Sequence, residues 1–117
     1  MEVRPIDQTS AEPPFEQLRA QIASRASLGE LAAGTRLPTV RALAAQLGLA
    51  VNTVAKAYRA LETDGVVVTE GRRGTYVASG LAASSQDAAS AAAAYVATAR
   101  RLGLTRHEAV RLVDQGW

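Results

Sequence analysis

Asn52, Thr53, Lys56 and Arg59 would share the outer, mostly N-terminal surface of one helix, and Arg36, Thr39 and Arg41 come shortly before them in the chain. Side chains of these types recognise nucleic acid: a carboxamide pairs bidentately with adenine, a guanidinium pairs with guanine, and cations and hydroxyls meet phosphates. A second basic group stands in Glu70-Gly71-Arg72-Arg73-Gly74. Its flanking glycines permit positive φ and a narrow tip, from which Arg72 and Arg73 can enter a minor groove or clasp a phosphate. The net charge is only +2, but no carboxylate lies between Glu30 and Glu62, a window that contains Arg36, Arg41, Lys56 and Arg59. Such a local positive footprint is what phosphate binding requires. Acids gather elsewhere, at Glu2, Asp7, Glu12 and Glu16 and from Asp87 onward. Other chemistries find little to work with. The chain has no cysteine, its one histidine, His107, has no second histidine nearby, and no Ser/His/Asp or paired-carboxylate spacing stands out. Neither catalysis, a metal nor a cofactor is expected.

The elements that must hold these side chains can be read from apolar spacing. Val40, Leu43, Ala44 and Leu47 fall at i, i+3, i+4, i+7, and so do Val54, Ala57, Tyr58 and Leu61. Each set makes a buried stripe on a short helix. Gly48 supplies a left-handed turn between the two, Leu49 fills the gap, and Ala44 keeps the crossing close. The pattern predicts a helix-turn-helix whose second helix ends near Asp64-Gly65. Before it, residues 1–12 read as an extended arm, Pro13-Pro14 opens a helix bearing Phe15, Leu18 and Ile22, and Gly29 and Gly34 bracket a connection. Thr39 or Pro38 starts the next helix. After it, Val66–Thr69 and Thr75–Ala78 are β-branched and aromatic runs, two strands whose basic loop forms a wing.

Ser79-Gly80 begins a small-residue linker, and Ser84-Ser85-Gln86-Asp87 offers N-caps for an alanine-dominated helix running through about Arg101, which Leu102-Gly103-Leu104 stops. Thr105 with Glu108 makes a capping box for a last helix that carries Ala109, Val110, Leu112 and Val113 along one side and ends at Trp117. The small-residue stripe of the first of these helices buries little area alone and calls for a partner helix from another subunit. Ala92, Tyr95, Val96, Ala99, Leu102, Val110 and Val113 are the expected dimerisation surface. The fold class is therefore mainly α with a small β-hairpin: a winged helix-turn-helix DNA-binding domain over residues 1–79, then a two-helix dimerisation appendage over 80–117. No apolar run approaches the roughly 18 residues of a membrane span, and the N-terminus lacks an export-type segment, so a cytoplasmic protein is expected.

Taken together, these residues resemble the GntR family of bacterial transcription regulators, in particular its small YtrA-like branch, over nearly the whole chain. The resemblance is carried by Phe15-Glu16-Gln17-Leu18, by Gly34-Thr35-Arg36-Leu37-Pro38-Thr39-Val40-Arg41 with Leu43-Ala44, and by Asn52-Thr53-Val54 through Ala57-Tyr58. Leu61-Glu62 and Gly74-Thr75-Tyr76-Val77 complete it. It implies a homodimeric repressor on double-stranded DNA with a palindromic operator, Arg41 and Asn52-Thr53 near bases or phosphates, and the wing glycine (Gly71 in the basic loop) and arginines at the minor groove. Val51 and Ala55 stand where longer members commonly carry arginine, which shifts base reading to Asn52, Lys56 and Arg41. The stretch after Ser79 is too small to enclose a typical effector pocket in one subunit, so any small-molecule effector would bind at a subunit interface. Two other functions compete. An architectural DNA-binding protein with little sequence preference would use the same basic face. A fragment of the family's fusions to pyridoxal-phosphate aminotransferases would need a buried lysine, and Lys56, the single lysine, lies on the DNA face.

Overall fold

Pro14 stands in the first turn of α1 (Pro14–Ser27), where a missing N–H costs nothing, and its ring sets φ for the helix. Leu18, Ile22 and Ala26, spaced four apart, form the buried face of that helix. They meet Leu43 and Ala44 of α2 (Val40–Leu47) and Val54, Ala57, Tyr58 and Leu61 of α3 (Val51–Thr63) in one hydrophobic core. The hairpin of β1 (Val67–Thr69) and β2 (Thr75–Val77) closes the core with Val67 and Val77, which are paired in register. A short 3-10 turn, Gly71–Arg73, lies between the strands. Two further helices follow, α4 (Leu81–Arg101) and α5 (Arg106–Gly116). In this computed structural model residues 1–81 and 86–117 are described. The chain divides into two compact units, Met1–Ala82 and Ala83–Trp117.

Tyr58 links the core to the start of the helix-turn-helix. Its ring is buried with 7% exposure, and its hydroxyl donates to the Pro38 carbonyl at 2.7 Å, satisfying the one polar atom it carries inward. Burial pushes its phenol up to about 12 from an ordinary 10.0. Because the folded chain holds that proton more tightly than the unfolded one, its contribution is intact below pH 10 and declines as pH climbs toward 12. Tyr58→Phe is expected to cost about 1 kcal/mol at neutral pH, with the deficit relative to the parent shrinking above pH 10. Urea midpoints of the two proteins at pH 7 and at alkaline pH check both parts, and a deficit that stays constant would contradict the second.

Several local expectations are met and several are corrected. Gly48 adopts the left-handed conformation at φ 66° and ψ 33°, and Leu49 N–H donates to Ala44 O at 3.0 Å. Thr39, not Pro38, is the N-cap of α2, its hydroxyl accepting from Ala42 N at 3.1 Å. Residues 1–12 are an arm, but a docked one. Met1, Val3 and Ile6 pack on the core, and two α1 glutamines one turn apart grip the arm's backbone. Gln21 accepts from Arg4 N at 2.8 Å and donates to Arg4 O at 3.1 Å, while Gln17 accepts from Asp7 N at 2.9 Å and donates to Asp7 O at 2.7 Å.

The linker expected after Ser79 is shorter than its composition suggests. Gly80, at φ 85°, turns the chain, and α4 begins at once at Leu81, a half-buried residue packed on the core. Of the expected N-caps, Ser84 and Ser85 lie outside the described residues, and Gln86 and Asp87 are interior, exposed positions of α4. At the other end α4 stops as expected: with Gly103 at φ 76°, its N–H bonds Arg100 O at 3.1 Å and Leu104 N–H bonds Ala99 O at 2.9 Å. The capping box of α5 is formed, Thr105 Oγ1 accepting from Glu108 N at 3.1 Å and Glu108 accepting from Thr105 N at 3.0 Å. Hydrogen bonds to the carboxyl of Glu108 from the Thr105 backbone N–H and side chain hold it below its ordinary value.

Candidate nucleic-acid interface

α3 starts without a side-chain cap, because Ala50 occupies the N-cap position, and no acid lies in its first turn. The N–H groups there and the positive end of the helix dipole are thus left for an anion outside the protein. Asn52 is exposed on this turn, and Thr53 beside it is half-buried. Arg41 is exposed on the first turn of α2. Lys56 and Arg59 follow on the outer side of α3, exposed, while Val54, Ala57, Tyr58 and Leu61 take the inner side. The Lys56 ammonium does not swing freely. It sits 4.0 Å from the centroid of the Phe15 ring on α1, a cation–π contact that orients it while its protons stay available. Val51, at 46% exposure, presents an apolar surface at the tip of the helix.

The wing is braced from two sides. Tyr76 donates its hydroxyl to Arg73 O at 2.9 Å, and Gly71 and Gly74 take φ values of 54° and 112° at the two ends of the loop. Thr69 donates to Glu62 at 3.1 Å, tying β1 to the last turn of α3. Residues 34–37, which run from the end of the Gly29–Gly34 connection into the lead-in to α2, lie along β2 as a third extended segment. Gly34 N–H bonds Val77 O at 2.8 Å, Val77 N–H bonds Thr35 O at 2.9 Å, and Leu37 N–H bonds Thr75 O at 2.8 Å. Arg36 is thereby carried to the wing together with Arg72 and Arg73, whereas Thr39, Arg41, Asn52, Thr53 and Lys56 stay with the two helices.

Among the described residues, ion pairs engage two arginines, Arg19 and Arg25, and leave the others unpaired, those of α4 and α5 included. Arg19 is paired with Glu16 and reaches Asp64 at 4.0 Å, and Arg25 reaches Glu30 at 3.6 Å. The Arg19 guanidinium accordingly holds the Glu16 carboxyl below its ordinary value. Among the described residues, Arg36, Arg41, Lys56, Arg59, Arg72 and Arg73 enter no ion pair, and all six are exposed. Unpaired cations around an uncapped helix start and a hairpin tip suit a duplex and its phosphates. No helix among the described residues is long and apolar enough to cross a membrane.

Residues 14–77, from α1 to the end of β2, match the family described as "Bacterial regulatory proteins, gntR family". The chain belongs to the GntR family. It is 51% identical over 108 residues to the HTH-type transcriptional regulator Rv1152 of Mycobacterium tuberculosis (strain ATCC 25618 / H37Rv), covering 91% of this chain and 87% of that one. It is also 40% identical over 72 residues to the HTH-type transcriptional repressor YtrA of Bacillus subtilis (strain 168), covering 62% of this chain and 55% of YtrA. Among solved structures, YtrA from Sulfolobus acidocaldarius, a GntR-family transcription factor, superposes with a TM-score of 0.60 at 39% identity, covering 64% of this chain and 79% of that one. The winged helix-turn-helix and the YtrA-like kinship read from the sequence both hold. This GntR protein is a DNA-binding transcriptional regulator.

The C-terminal unit carries the second group of expected residues. Ala92, Tyr95, Val96, Ala99, Val110 and Val113 line one apolar groove of about 650 Å³ between α4 and α5. Val96, Val110 and Val113 are exposed at 52%, 50% and 47%, whereas Ala99 is 3% exposed within the single chain. Ala99 therefore lies at the floor of that groove and has almost no accessible surface of its own. Tyr95 is half committed, its hydroxyl donating to Ala109 O at 2.7 Å across the two helices. Leu102, at 63% exposure, lies outside the groove at the end of α4. His107 is an exposed residue of α5.

Proposed function

We propose that this GntR regulator is a cytoplasmic homodimeric repressor that binds a palindromic operator, with one recognition helix α3 in each of two major grooves. The observation that carries this reading is the uncapped, acid-free start of α3, with exposed Asn52 upon it and exposed Arg41 on α2. Asn52 is suited to adenine and Arg41 to guanine, and the half-buried Thr53 and the N-capping Thr39 reach phosphates. The YtrA relative is described as a repressor, and the exposed valines of the α4–α5 groove favour pairing through the C-terminal helices. Addition of the protein to transcription from a template bearing its operator is expected to lower transcript yield, and an increase would make it an activator.

The wing adds affinity through Arg72 and Arg73, with Gly71 allowing the loop to approach the backbone closely. Replacing both arginines with Ala is expected to weaken binding to every duplex. The slope of log affinity against log salt should flatten by about 0.9 for each phosphate no longer neutralised. Titrations at several salt concentrations measure this directly, and an unchanged slope would reduce the loop to a solvated hairpin tip.

A further inference from the structure

We propose that Arg36 is a specificity-determining residue of the wing, seated on Gly74, and that it reads the width of the minor groove flanking each half-site. The inference rests on the operator reading above but concerns a different groove and a different element. In the sequence Arg36 belongs to the lead-in of α2, which would assign it to the helix-turn-helix. The backbone assigns it elsewhere: Arg36 bridges Tyr76 in antiparallel fashion, between the bonds from Val77 N to Thr35 O and from Leu37 N to Thr75 O. Directly opposed residues of an antiparallel pair project to the same face, so Arg36 and the tip-bracing Tyr76 share one side of the wing.

The guanidinium then lies close against Gly74, where an added Cβ would push the side chain aside. A Cβ on Gly74 would stand 2.9 Å from Arg36 Nε, 3.4 Å from Nη2 and 3.5 Å from Cζ. Gly74 is also at φ 112°, a conformation that side chains rarely adopt. Glycine at 74 thus meets two demands at once, the turn and the close passage of the Arg36 side chain. With Arg72 and Arg73 adjoining Gly74, the hairpin tip presents exposed guanidinium groups with no ion-pair partner among the described residues. A narrow minor groove, as in A·T-rich DNA, concentrates negative potential and favours inserted arginine. A planar, weakly hydrated guanidinium suits that narrow space better than an ammonium.

The test uses the whole chain and an operator with fixed half-sites. Base pairs outside the half-sites are changed in turn to A·T, G·C or inosine·C. Inosine keeps the N7 and O6 of guanine in the major groove but lacks the 2-amino group of the minor groove, so it separates the two readouts. The parent is expected to favour A·T and inosine·C flanks over G·C by about tenfold. Arg36→Ala should bring that ratio to within about twofold while keeping its preference for intact over scrambled half-sites. Arg36→Lys should keep the salt slope yet lose most of the ratio. Gly74→Ala, by displacing the guanidinium, should reproduce the loss, and adding it to Arg36→Ala should lower the ratio no further. An undiminished flank ratio in Arg36→Ala, or equal affinity of the parent for inosine·C and G·C flanks, would overturn the proposal. Loss of preference between intact and scrambled half-sites in the parent would instead overturn the operator reading, and the flank ratio would still decide the role of Arg36.

Discussion

Replacing Val96 and Val110 with Glu is expected to give a folded monomer that binds the operator about 10²- to 10⁴-fold more weakly than the parent chain. Both valines are about half exposed in the groove of the C-terminal unit, so the substitutions cost the isolated chain little. Between two subunits the same carboxylates would be buried without partners, which pairing cannot tolerate. In the proposed dimer one winged unit reads one half-site, and linking two of them raises the effective concentration of the second at its site. The loss of affinity therefore comes while every side chain on the DNA face stays in place. Ala99→Glu would be a poor probe, because Ala99 is 3% exposed in the single chain and the variant would disrupt its own unit. Ala92, which is exposed, serves as a second position for the same charge. Sedimentation with circular dichroism reads both outcomes: a dimer at micromolar concentration with undiminished affinity would place the interface elsewhere.

Arg41→Ala and Asn52→Ala are each expected to cost about 1 to 3 kcal/mol of operator affinity, roughly 5- to 150-fold. Both side chains are exposed, one on the first turn of α2 and the other on the uncapped turn of α3, and neither takes part in the core. Folding should be unchanged, so the effect belongs to recognition. What marks a base contact is selectivity: each variant should relax preference at one position of the half-site while its affinity for random duplex falls much less. Equal losses on operator and random DNA would make both residues phosphate contacts.

How far the sequence could be read depended on how local each cause was. The helix-turn-helix was legible because the stripes of Leu43 and Ala44 and of Val54, Ala57, Tyr58 and Leu61 repeat within a few residues, and because Gly48 has one conformational use there. The capping box of Thr105 and Glu108 is likewise complete within four residues. The pairing of residues 34–37 on β2 was not legible, since it joins segments about forty residues apart and the short Thr35-Arg36-Leu37 stretch has no alternation of its own. The grip of Gln17 and Gln21 on the arm likewise joins positions 10 and 17 residues apart, and nothing in their own spacing announces it. Small residues posed a different difficulty. Composition marks Ala92 and Ala99 alike as close-packing positions, but burial within the chain separates Ala99 from the exposed Ala92.

Selection of bound sequences from a pool of random duplexes tests most directly whether this regulator reads a palindromic operator. The expected product is an inverted repeat whose half-sites lie about one helical turn, roughly 34 Å, apart, bound at least about 10³-fold more tightly than random DNA. Enrichment of no common sequence, with operator and random duplexes bound alike, would contradict it and identify an architectural DNA-coating protein instead.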